Sequence, residues 1–245
     1  MNYEYAVDNR NYEDFASGRV LYNQKGTTSY PARLISEIFM RCVAYMKSQG
    51  IEPPYSIYDP LCGGAYALTT LGFLHKDLIG RLIASDIDEE VVAFASKNLS
   101  LLSDEGLEER MKQLQTYYDL YKKESHQEAI TSATYLQQQM RRTTHRIKVS
   151  CECADALRSH KQEDQDKYDM VITDVPYSEL VDWATDEGEN AVKLLLENML
   201  PKLSKHSIVA ISSKKKTKIN NVNYKKIDKF NIGKRQIVFL IPIIA

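Results

Sequence analysis

Four short apolar runs in this chain finish on or beside an aspartate. They are Ser56-Ile57-Tyr58-Asp59, Leu82-Ile83-Ala84-Ser85-Asp86, Ile147–Cys153 followed by Ala154-Asp155, and Tyr168–Asp174. Helical patterns follow the first two, at about 65–74 and 89–102, and another at about 190–203 precedes a fifth apolar run, Ser207–Ser212. Strands that alternate with helices join by right-handed crossovers, which makes a mostly parallel sheet. In such sheets ligands bind outside the carboxyl ends of the strands, where all four aspartates stand.

The chain's end breaks the alternation. Lys225–Phe230 and Lys234–Ile241, joined near Asn231-Ile232-Gly233, read as strands with no helix between them, so an antiparallel pair is expected at the sheet edge. The expected architecture is α/β, a mostly parallel seven-stranded sheet with an antiparallel C-terminal strand, in a single domain over 1–245. Residues 1–50 form an aromatic arm and a helix. That helix opens at Pro31, as proline does at a first helical position, and carries Leu34, Ile35, Ile38, Phe39, Cys42, Val43 and Met46 on one face. Residues 103–146 are surplus to the alternation and carry two helical patterns, read as an inserted helical hairpin. Ser125-His126-Gln127-Glu128 has the form of a capping box between them.

Composition excludes several classes. With 43% hydrophobic and 27% charged residues the chain can build a core, so wholesale disorder is excluded. The longest apolar run, Ile237–Ala245, is far shorter than the roughly 18–20 residues a membrane helix needs. The start has no signal-peptide pattern, and four cysteines without a CxxC make no disulfide framework. A cytoplasmic, reduced protein without membrane association is expected. No His/Cys/Asp cluster has metal-ligand spacing, so no metal is expected. Net charge is −1, yet residues 202–235 hold eleven Lys/Arg against Asp228 alone. A basic C-terminal segment on an otherwise acidic chain suggests contact with a polyanion.

The first strand end is followed by Pro60-Leu61-Cys62-Gly63-Gly64. Glycines there let a ligand approach the backbone, whose N–H groups attract an anion or carboxylate. A nicotinamide or flavin fingerprint would need glycines at 61, 63 and 66, where this chain has Leu, Gly and Tyr. No Walker lysine follows either. Asp86, 27 residues after Asp59, suits two ribose hydroxyls, with Asp88 available to cap the next helix. Asp155 suits an adenine amine or a helix cap. In Thr173-Asp174-Val175-Pro176-Tyr177, Asp174 can accept a hydrogen bond from a planar amine. The carbonyl beside Pro176 can take a second, and the Tyr177 ring can stack on a base.

The order Asp-Pro-x-Cys-Gly-Gly, Ser-Asp-x-Asp, Ala-Asp-Ala, Asp-x-Pro-Tyr resembles class I S-adenosylmethionine-dependent methyltransferases of nucleic acid. More narrowly the chain resembles the AviRa family, rRNA guanine methyltransferases of avilamycin resistance. The resemblance is carried by residues 30–39, 58–74, 84–103, Thr173–Tyr177 with Trp183, and Ile232-Gly233-Lys234-Arg235. It implies a Rossmann-like fold and S-adenosylmethionine as cofactor. It places Asp59, Cys62, Gly63 and Gly64 around the methionine part, Asp86 at the ribose and Asp155 at the adenine. Asp174, Pro176 and Tyr177 would address the target base. The implied substrate is large-subunit rRNA and the implied target guanine N1. Val175 stands where amino-methyltransferases usually have a second proline, and Ser178 where glycine is expected, so the loop also suits an exocyclic amine. A DNA or protein-glutamine methyltransferase, and an RNA-binding module without catalysis, are the alternatives. Trp183 is a candidate for base contact or for the core. Lys214, Lys215 and Lys216 are candidates for RNA backbone contact, and Arg33 for the cofactor carboxylate or an RNA phosphate.

Overall fold

The computed structural model describes residues 3–8, 11–16, 18–23, 30–142, 145–158, 167–175 and 188–244. Helix α1 (Ala32–Ser48) buries the apolar stripe expected of it, and Pro31 stands just outside as the N-cap rather than as its first residue. Strand β1 (Tyr55–Asp59) is buried along its whole length. Helix α2 (Tyr66–Leu74), strand β2 (Ile79–Asp86) and helix α3 (Glu89–Ser100) follow. Asp88 caps α3, its carboxylate accepting from the N–H groups of Glu90 and Val91, as a residue at an N-cap does.

The surplus stretch forms helices α4 (Asp104–Tyr121) and α5 (Glu124–Met140), packed against each other. The capping box expected at Ser125 is not there. The two helices are joined by Lys122, at φ +49°, and Lys123, so α5 is already under way at Ser125. The serine cap belongs instead to α4, where Ser103 accepts from the N–H of Gly106 at 3.0 Å.

Strands β3 (Lys148–Cys153) and β4 (Tyr168–Asp174), helix α6 (Gly188–Met199), then strands β5 (Leu203–Lys214), β6 (Tyr224–Ile232) and β7 (Arg235–Pro242) complete the chain. The sheet order is β3-β2-β1-β4-β5-β7-β6. Its first five members are parallel, and β7 runs antiparallel to both β5 and β6. This is the mixed, mostly parallel sheet the alternation predicts. β5 outruns the expected Ser207–Ser212 because both neighbours keep pairing with it, Tyr168↔Leu203 at one end and Lys214↔Arg235 at the other. Such ladder bonds recruit polar residues that no apolar pattern marks.

The sheet is filled on both faces. One core includes Leu34, Phe39, Leu71 and Leu99, and the other Tyr168, Val192, Leu196 and Val238. No helix among the described residues is long and apolar enough to cross a membrane.

The N-terminal arm is clipped to α1 by Glu37, a fully buried carboxylate. It accepts from the backbone N–H groups of Glu4, Tyr5 and Ala6 and from Arg41. Arg41 also pairs with Asp228 on β6.

Candidate active site

The first strand end builds a tight, fixed turn. Leu61 N–H donates to Asp59 Oδ1 at 3.1 Å and Cys62 N–H to the Ser85 carbonyl at 2.9 Å. Gly63 N–H donates to Asp86 Oδ2 at 3.0 Å, tying the turn to the end of β2. Gly63 lies at φ +50°, a region glycine enters without steric cost. Ala65, the residue before α2, lies at φ +53°, unusual for a residue with a Cβ. Gly64 has a different reason. A Cβ there would come within 2.7 Å of the Tyr66 ring and 2.8 Å of the Phe94 ring.

These elements enclose a cavity of about 270 Å³. Asp59, Cys62, Gly63, Gly64 and Asp86 line it, and so does Asp174 from the end of β4. Tyr30 and Tyr66 add aromatic wall. The first, second and fourth motifs are therefore brought together at the carboxyl edge of the sheet.

The remaining candidates are placed differently. Asp155 does not line the cavity; its carboxylate accepts from Leu157 N–H at 2.9 Å and lies 3.2 Å from Arg158 Nε. Arg33 is engaged elsewhere. Its guanidinium donates to the carbonyls of Ala6 and Val7 and covers the Tyr3 ring at 4.2 Å, so it holds the arm. Lys214, Lys215 and Lys216 line a second cavity of about 770 Å³ with Lys234, Arg235 and the start of α1. Arg235 faces Asp174 across 3.7 Å, so the two cavities adjoin. Pro176, Tyr177 and Trp183 lie outside the described residues. No group of three or more potential metal ligands occurs among the described residues.

The model of the rRNA methyltransferase AviRa family matches residues 1–235. The chain belongs to that family. It is 31% identical over 241 residues to the 23S rRNA (guanine(2535)-N(1))-methyltransferase of Streptomyces viridochromogenes, covering 97% of this chain and 95% of that one. Two solved structures of the rRNA methyltransferase AviRa from the same organism superpose with TM-scores of 0.89 and 0.86. Their identities are 30% and 29%, and each match covers 99% of this chain and 97% of theirs.

Electrostatically, this AviRa-family cavity is acidic. Burial pushes the Asp59 carboxyl up to about 7, and the nearby charges of Asp174 and Asp86 push the same way. Cys62 is pushed up by its contact with Cys151 and by burial, which leaves it a neutral lining group.

Asn98 escaped the sequence reading. Its side-chain amide donates to the Gly64 carbonyl at 2.8 Å, and its oxygen accepts from Tyr22 N–H at 2.8 Å. One fully buried side chain thus holds both the glycine turn and the arm. A signal existed: Asn98 falls at the i+7 position from Val91 on the α3 stripe that carries Phe94 and Ala95, where an apolar residue is the rule.

Proposed function

We propose that this chain transfers a methyl group from S-adenosylmethionine to N1 of a guanine in 23S rRNA. The observation that carries the reading is the convergence of the glycine turn, Asp86 and Asp174 on one acidic cavity beside a lysine-lined cleft. The donor set fits the cofactor: the Asp59 and Asp86 carboxylates suit a ligand bearing a sulfonium, an ammonium and ribose hydroxyls, and a glycine turn admits its backbone-like methionine part. When bound, S-adenosylmethionine supplies a methyl carbon that forms a bond to nitrogen as its bond to sulfur breaks, the sulfur keeping the electron pair.

Asp86 takes the ribose, with Gly63 N–H holding its carboxylate in place. Asp59 and the Gly63-Gly64 turn take the methionine end. Asp155, which already accepts from Leu157 N–H and pairs with Arg158, takes the adenine amine on a remaining lone pair. Asp174 accepts the guanine N1 proton, which frees the ring nitrogen's electron pair. Pro176 and Tyr177 frame the base, which must leave its stack to enter. Lys214, Lys215 and Lys216 receive RNA phosphates, a sequence-independent contribution to binding.

The raised Asp59 carboxyl makes cofactor binding pH-dependent. The stability its neutral form contributes is full below the ordinary value of 3.8 and lost as pH rises through about 7. Above that pH the charged carboxylate works against the fold and for a cationic ligand. Binding near pH 6 should therefore release close to one proton, with affinity rising by up to about tenfold per pH unit until about pH 7. Calorimetry in buffers of different ionisation enthalpy measures this, and Asp59→Asn should flatten the profile. A pH-independent affinity in the native protein would remove Asp59 from the cofactor site.

The function itself is tested by transfer of labelled methyl to unmodified large- and small-subunit rRNA separately, with the product nucleoside identified by mass spectrometry. N1-methylguanosine from the large-subunit RNA is expected. An N2-methyl product would move the target to the exocyclic amine. RNA binding without any transfer would leave the non-catalytic module.

A further inference from the structure

Between the acidic cavity and the basic cleft stands one ion pair. Arg235 Nη2 lies 3.7 Å from Asp174 Oδ2, with about a quarter of each side chain exposed, 24% and 27% respectively. That separation is an ion pair's, longer than a hydrogen bond between those two atoms. Arg235 is firmly based. It opens β7, is paired with Lys214 on β5 and Ile232 on β6, and follows a turn made possible by Gly233 at φ +54°. Its guanidinium lies 5.1 Å from the centre of the Tyr30 ring, itself part of the acidic cavity's wall.

A carboxylate beside a guanidinium is an acceptor beside a donor. On the Watson–Crick edge of guanine the N1–H donor stands between the O6 acceptor and the N2 amine donor. Adenine and cytosine present the opposite order, an acceptor ring nitrogen beside a donor amine. Uracil has an N–H between two carbonyls and lacks the second donor that a carboxylate's other oxygen would take.

Resting on the function proposed above, we infer that Arg235 is the residue that selects guanine and acidifies its N1–H. Asp174 faces N1–H and the N2 amine, and Arg235 donates to O6. When the N1–H bond breaks, the proton goes to an Asp174 oxygen and the electron pair stays on the ring, shared between N1 and O6. The guanidinium faces the oxygen where that charge develops, as a preorganised donor does in an oxyanion hole. The N1 pair then forms the new bond to the methyl carbon. The other charges near the pair are Asp59 from β1, Asp86 from β2, Lys214 from β5 with Lys215 and Lys216 beyond it, and Lys234 in the turn before β7. None of these supplies a donor as close to Asp174 as Arg235 among the ion pairs of the described residues.

The test is single-turnover methyl transfer by the full chain on unmodified large-subunit rRNA across pH 6–9, comparing native protein, Arg235→Gln and Arg235→Lys. Arg235→Gln is expected to be slower by about 10²-fold at neutral pH. Its rate should keep climbing to higher pH than the native rate, because N1–H is no longer acidified. Arg235→Lys should recover part of the rate and of the profile. Cofactor affinity, read by calorimetry, should stay within about twofold of native in both variants, which also reports that they fold. If Arg235→Gln keeps the native pH profile and only raises KM for RNA, Arg235 is a backbone contact and the inference fails. It fails equally if the variant keeps the native rate. A native protein that makes no N1-methylguanosine would instead overturn the function itself.

Discussion

Asp174→Asn is expected to slow methyl transfer by about 10²–10⁴-fold, the usual contribution of a positioned base. Asparagine keeps the shape and one acceptor but cannot take a proton at neutral pH. The fold does not depend on the charge. Asp174 ends β4, where its backbone pairs with Ser212, and the strand is secured one residue further by Val175 N–H donating to the Ser212 carbonyl at 2.9 Å. Cofactor affinity should therefore survive. One further effect separates this variant from a merely misfolded one. Asp174 is among the charges that raise the Asp59 carboxyl. Removing that charge should move the pH at which cofactor affinity levels off downward from about 7. Single-turnover transfer and calorimetry on the same preparation read both effects. A variant that methylates at the native rate would take Asp174 out of the reaction.

The place of Asp174 at a strand end facing the cavity was legible because its signal is local. An apolar run ending on an acid, then valine, proline and tyrosine, is written in consecutive residues, and β4 spans Tyr168–Asp174 as its pattern says. The same holds for Asp59, Asp86 and the glycine turn, and for the hairpin at the chain's end, where two strand patterns stand with no helix between them. What the sequence hid is whatever depends on partners far along the chain. Arg33 looks like a ligand residue until the arm is seen folded back onto it. Ser125-x-x-Glu128 has the letters of a capping box, but a two-residue link starts the helix two residues too early for it. Arg235 reads as one of eleven basic residues. Only the pairing of β7 with β5 sets it against Asp174. Local chemistry is readable in one dimension, whereas charge pairing across strands becomes visible only with the register.

Glu37 is the extreme case of such a partner. Glu37→Gln is expected to destabilise the protein by about 3–5 kcal/mol at neutral pH, the cost of breaking a buried charge network by removing one partner. Oε1 accepts from Glu4 N–H and from Arg41 Nε, each at 2.9 Å. Oε2 accepts from Tyr5 N–H at 2.9 Å and Ala6 N–H at 2.8 Å. All four partners are donors, so whichever way a glutamine is turned its NH₂ meets two of them. Burial opposes the charge, but those three backbone amides and Arg41 outweigh it and hold the carboxyl below its ordinary 4.5. The stability this contributes is fully present above 4.5 and is lost as pH falls through the depressed value. The difference between native and variant should thus be largest at neutral pH and shrink in acid. Urea unfolding at pH 7 and pH 3.5 measures it, and amide exchange at residues 4–6 locates it. A loss under about 1 kcal/mol, with those amides still protected, would mean that the arm is held by its aromatic packing and by Arg33 rather than by the buried carboxylate. The size expected is a large part of a typical domain's total stability, which is why a residue far from the acidic cavity carries one of the two largest effects in this chain.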